Sequence, residues 1–325
     1  MTSGQRYVYT LIILVVGTLI AHNLVALIAV TSADWLSVLN ALRRILAVQL
    51  VVIGGIYTFV RVDSGQTHQW QVMQGIWIVG VVAYFLARTI RLPAASLLTL
   101  TPAAASLGFW LMVRYSTITR LWVDLAVKVI TGWLVCAGFI LVIDTSTWAD
   151  FPAYIAAGFV LLAYVVFAAH IHKALINPND TQTLAAYWHA AAVIFWLIGG
   201  GVFGAALTVP NVANFVHGTR LTEFPVIISE FAVIALGLGL VNHIMADLRD
   251  ENRRVTGLLP YWCLVGGWLL SLLAEFSYEL ILLHDPLLSP DGVRDFQAFA
   301  LTIALVGAII FALGIYARRI KFDET

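Results

Sequence analysis

The chain has 325 residues, of which 61% are hydrophobic and 11% charged, and its formal net charge is zero. Soluble domains carry roughly 25% charged residues, so this composition excludes a water-soluble globular protein, and the balanced charge with no basic arm excludes a nucleic-acid partner. The solvent such a chain requires is a lipid bilayer.

Apolar runs of about 20 residues, the length that carries a helix through a hydrocarbon core of roughly 30 Å, recur from end to end. They predict an all-α polytopic transmembrane helix bundle of about ten spans, forming a single transmembrane domain over residues 1–325. The expected spans are 7–30, 42–62, 70–90, 94–114, 121–143, 151–175, 182–208, 224–246, 257–283 and 296–317. The first lacks a basic start and a small-residue cleavage site, so it reads as a retained span rather than a signal peptide. His22 lies near its middle. The fourth is flanked and interrupted by Pro93 and Pro102, which favours a kinked or partly re-entrant segment.

Charged groups at membrane depth each cost about 2.5–3.5 kcal/mol on insertion scales, so each needs protein or water beside it. In the fifth span Asp124 and Lys128 are four residues apart and share one helix face, where they form an intrahelical pair or part of a proton or ion path. His170 and His172 close the sixth span, and His189 lies about two turns into the seventh. The seventh also carries Gly199, Gly200, Gly201 and Gly204, a smooth strip that admits a close neighbouring backbone or a flat ligand. Glu230 comes early in the eighth span, which His243 ends. Glu275 and Glu279 stand one turn apart late in the ninth, and His284 closes it. With odd spans running outward, these three carboxylates fall in the outer half of the membrane. They line a proton or cation path, or make interhelical hydrogen bonds as protonated acids.

Orientation follows from Lys and Arg. One side receives Arg6, Arg61, Arg114, Arg120, Lys173, Arg249, Arg253, Arg254, Arg318, Arg319 and Lys321, against Arg43, Arg44, Arg88, Arg91, Arg220 and Arg294 on the other. The positive-inside bias predicts an inner cell-membrane protein with both termini cytoplasmic. Trp35, Trp70, Trp122, Trp148 and Tyr261 near span ends are interfacial anchors. The cysteines Cys136 and Cys263 fit no metal or haem-attachment spacing and read as small buried apolar residues. A bis-histidine b haem needs two imidazoles at matching depth on facing helices. His22 and His189 come nearest to that requirement, the alternative being hydrogen-bonded interior histidines.

The stretch GGGVFGAALTVPNVANFVHGTRLT, running from Gly199 to Thr222, resembles the segment joining the ninth and tenth helices of the nitric oxide reductase large subunit, in the haem-copper oxidase superfamily. Shared features are the glycine-rich helix end, the proline and asparagine, and the turn closing on Gly218-Thr219 and Leu221-Thr222. The resemblance implies that the last four spans are haem-copper oxidase subunit I-like, and it implies respiratory or cytochrome partner subunits. It also implies a histidine-any-histidine haem-ligand pair just beyond the turn. Pro225 and Ile227 stand there instead, and neither binds iron.

Three readings follow. One is a degenerate, non-catalytic membrane subunit or small-molecule-sensing scaffold of that superfamily, more an accessory chain than an enzyme, with no metal and no haem of its own. The second is an electron-transfer or quinone-handling protein with one b haem on His22 and His189. The third is a transporter using Asp124, Lys128, Glu230, Glu275 and Glu279, which the lack of an internal repeat disfavours.

Overall fold

The structure, a computed structural model, describes residues 3–60, 68–89, 100–115, 125, 127–132, 135, 162, 165, 169, 172, 180–207, 210–248, 257–285 and 290–317. Its main helices are α1 (Ser3–Thr31), α2 (Leu36–Val60), α3 (His68–Thr89), α4 (Thr101–Tyr115), α5 (Asp180–Trp196), α6 (Pro210–Phe215), α7 (Phe224–Leu248), α8 (Leu258–His284) and α9 (Asp291–Ala317). Short 3-10 turns at Ala33–Trp35 and Arg220–Glu223 lead into α2 and α7. A wide-wound π segment, Leu197–Gly204, continues α5. There is no strand among the described residues.

Seven described helices are long and apolar enough to cross a membrane: Gly4–Thr31, Ala33–Val60, Gln71–Thr89, Ala186–Gly204, Arg220–Leu248, Leu258–His284 and Asp291–Ala317. They match the expected spans at 7–30, 42–62, 70–90, 182–208, 224–246, 257–283 and 296–317. Of the expected 94–114 span, α4 supplies 15 residues, about 22 Å at about 1.5 Å per residue, and residues 94–99 lie outside the described residues. The expected spans 121–143 and 151–175 fall almost entirely outside them. Two helices start earlier than their apolar runs: α2 at Leu36 and α9 at Asp291. An apolar run measures only the part of a helix that meets hydrocarbon, so polar first turns extend beyond it.

The chain divides into two compact units. The first comprises residues 1–46, 206–224 and 245–325. Its frame is the antiparallel α8–α9 hairpin, with α1 lying against α9. Small residues let the two hairpin backbones approach: a Cβ on Gly267 would stand 2.7 Å from the Ala300 carbonyl oxygen, and one on Gly307 would stand 2.9 Å from the Leu264 nitrogen. In lipid, helices associate through such close packing and through interhelical hydrogen bonds. One of those bonds ties α1 to α8: the Trp268 indole N–H donates to Asn23 Oδ1 at 3.0 Å. Asn23 in turn donates to the Leu19 carbonyl at 2.8 Å. Both side chains are fully buried. Asn23→Leu strands the indole N–H in the interior and is expected to destabilise the protein by about 1–3 kcal/mol, measurable as a lowered midpoint of thermal unfolding in detergent.

The second unit comprises residues 47–205 and 225–244. On α2, Gly55 receives the Trp77 ring of α3, which would stand 1.9 Å from a Cβ placed there. Trp77 Nε1 donates to the Val51 carbonyl at 2.9 Å, which fixes the ring on that spot. Within α7 every residue from Ile227 to Ala246 is buried. The other long helices keep large apolar side chains such as Leu14, Leu86, Leu273 and Leu313 exposed, as lipid-facing helices do.

Candidate functional site

The strongest concentration of polar chemistry lies at one end of the first unit. Glu275 sits nine residues before the close of α8 at His284, and His22 nine residues before the close of α1 at Thr31. Each is therefore about 14 Å along the axis from its helix end. Arg43 is seven residues into α2, which begins at Leu36. The side chain of Glu275 is only 13% exposed and pairs through Oε1 with the Arg220 guanidinium, which is 32% exposed. Glu279, one turn on, accepts the Arg220 backbone N–H at 3.4 Å. Arg43 is 3% exposed and donates to Asn40 Oδ1 at 2.8 Å. Its charge also acts on Glu275 and on His22. Glu223, exposed on the 3-10 turn, adds a further negative charge felt at Glu275.

These residues come together for local reasons. The 3-10 turn is capped by Thr219, whose Oγ1 accepts the Leu221 N–H at 3.3 Å and donates to the Val216 carbonyl at 2.7 Å. Gly218, with φ at +83°, makes the reversal just before it; an L side chain there would be strained. The turn ends with Phe224 against Phe276, ring centroids 6.3 Å apart. That contact sets Arg220 directly over the late turns of α8. Beyond the carboxylates, Arg294 donates to the Tyr278 hydroxyl and lies over its ring, 4.7 Å from the centroid.

Sequence reasoning placed Glu275, Glu279 and Glu230 in one acidic lining. The structure brings the first two together and gives them cationic partners, while Glu230 is buried on α7 in the second unit. His22 and His189 are both buried, the former in the first unit and the latter in the second. Lys128 is exposed on its helix, and Asp124 lies outside the described residues. So do His170 and Cys136, whereas His172, His217 and His284 are exposed, His243 is buried and Cys263 is half-buried. Sequence reasoning missed Arg43 and Arg220 as partners, assigning both to the outer water-facing side. A signal for Arg43 was present, because Asn40, Arg43 and Ala47 repeat at helical spacing and extend α2 upstream of its apolar run.

At Gly199 the glycine strip has a definite occupant. A Cβ on Gly199 would stand 2.8 Å from Ile228 Cβ and 3.3 Å from the Pro225 carbonyl oxygen, so the π segment is pressed onto the first turn of α7. Phe195 and Phe231 stack beside this contact, centroids 5.9 Å apart. Pro225 and Ile227 are buried. Neither residue fits iron. Among the described residues no three His, Cys, Asp or Glu side chains gather as a metal site. No protein-family model and no curated protein sequence matches the chain.

Proposed function

We propose that the chain is a degenerate relative of the nitric oxide reductase large subunit within the haem-copper oxidase superfamily, and that it serves as a non-catalytic integral membrane subunit of a respiratory or denitrification-related assembly. The observation that carries this reading is the contact of Gly199 with Pro225 and Ile228. In the resembled segment, this region carries histidines for haem. Here proline and isoleucine stand at those positions, and Gly199 serves the approach of two helices. The Lys and Arg distribution supports an inner-membrane location with both termini cytoplasmic, which sets the Arg43–Arg220–Glu275 cluster toward the outer face.

The test is spectroscopic. The chain, extracted from its native membrane in mild detergent, is expected to show no stoichiometric b haem in oxidised and dithionite-reduced spectra or by pyridine haemochrome, and to migrate on native gels as an assembly larger than itself. A reduced α-band at one haem per chain, abolished by His22→Ala or His189→Ala, would overturn the non-catalytic reading in favour of electron transfer. Migration as the lone chain would overturn the subunit assignment.

A further inference from the structure

The segment between α6 and α7, Val216 to Glu223, buries Val216 and Leu221 and leaves most of its other side chains exposed. His217, Gly218, Thr222 and Glu223 are exposed, and the internal bonds from Thr219 to Val216 and from Leu221 to Thr219 shape the turn without anchoring it. Its polar anchorage on α8 runs through Arg220, by the guanidinium to Glu275 and by the backbone N–H to Glu279. The charged groups acting on Glu275 are Arg220 and Glu223 from the segment, Arg43 from α2, and Glu279 from α8 itself.

This arrangement is sensitive to one proton. With Glu275 ionised, its carboxylate lies between the influence of two guanidiniums and attracts both. Adding a proton cancels that charge and with it the attraction that holds Arg220, which is strong in a low-dielectric setting. Arg43 is buried and held by Asn40, so it does not move out to water. Arg220 is a third exposed and does. The apolar contact of Phe224 with Phe276 keeps the start of α7 in place, and release of the turn before it draws the buried Leu221 and Val216 out with Arg220.

We propose that Glu275 is a proton-binding site that controls docking of the 216–223 segment on α8, the carboxylate form holding the segment down and the protonated form releasing it. The proton comes from the solvent on that side of the membrane, and Arg220 keeps its charge throughout. The ligand is therefore the proton itself, and the response is a change in order of one short surface segment.

Hydrogen–deuterium exchange on the full chain in nanodiscs reads this directly, since local release exposes the Arg220 and Leu221 amides. After correction for the intrinsic pH dependence of exchange, acidification is expected to deprotect the 216–224 peptide of the wild-type chain while leaving α9 peptides unchanged. Glu275→Gln is expected to raise exchange of that peptide about tenfold at neutral pH and to remove its response to acid. Glu275→Asp retains the charge and is expected to keep both protection and response, and Glu279→Gln, which leaves the carboxylate of Glu275 intact, keeps the response. A wild-type segment whose protection is the same in neutral and acidic buffer would sink the proposal, and that measurement needs no variant to fold. A pH response that survives in Glu275→Gln would do the same.

Discussion

Gly267→Ala is expected to destabilise the protein by about 2 kcal/mol, within the roughly 1–3 kcal/mol range for overpacking a tight core, while Gly266→Ala, one residue earlier on the same helix, is neutral or stabilising. The two substitutions add the same methyl group to the same helix, α8. At Gly267 the new carbon would stand 2.7 Å from the Ala300 carbonyl oxygen, 2.8 Å from the Ala304 nitrogen and 2.8 Å from Ala304 Cβ. Two of those atoms are backbone, so no rotamer change relieves the clash and α9 has to move away. At Gly266 nothing lies within 4 Å, and a helical Gly→Ala change gains up to about 1 kcal/mol from propensity. Loss of the close approach is costly in a membrane because van der Waals packing between helices replaces the hydrophobic drive that water supplies to soluble bundles. Equal thermal midpoints for the two variants in detergent would show that the hairpin does not depend on this contact.

What the sequence disclosed depended on the range of the physics involved. Span positions follow from runs of apolar side chains, a local property, and the seven described spans accordingly fall where expected. Helix ends were less legible: Arg43 looked like a residue at the water boundary because it lies at the very start of the expected span 42–62, yet α2 begins at Leu36 and carries it inside. Glu275 and Glu279 were conspicuous as carboxylates in an apolar run. Their partner Arg220 was not, since a 59-residue separation between Arg220 and Glu279 leaves no periodic trace. The glycine strip was visible as a surface made for close approach, but only the fold distinguishes a helix from a flat ligand as the object that approaches. For Gly199 it is the first turn of α7. Glu230 was grouped with the other two carboxylates by depth alone; it belongs to the second unit, and Glu275 and Glu279 to the first.

Glu275→Ala is expected to cost about 3 kcal/mol, and the larger part of that cost should vanish when Arg43→Met is added. Removing one member of a buried ion cluster leaves the other charges desolvated and uncompensated, a loss of roughly 3–5 kcal/mol in well-buried cases. The two cations differ in how they respond. Arg220, with 32% of its side chain exposed, turns toward water and recovers much of its hydration, so its share is small. Arg43, at 3% exposed, has no such escape, and its guanidinium donates to Asn40. Methionine has the length to fill the space of the arginine stem and carries no charge, so Arg43→Met with Glu275→Ala exchanges a broken ion cluster for apolar packing, a trade that is often neutral in other proteins. A double-mutant cycle measures the coupling. A coupling of about 1.5 kcal/mol or more, with the double variant more stable than Glu275→Ala alone, is the expected result. Strict additivity would show that Arg43 and Glu275 do not stabilise each other, and the polar end of this unit would then consist of the Arg220 contacts with α8 alone.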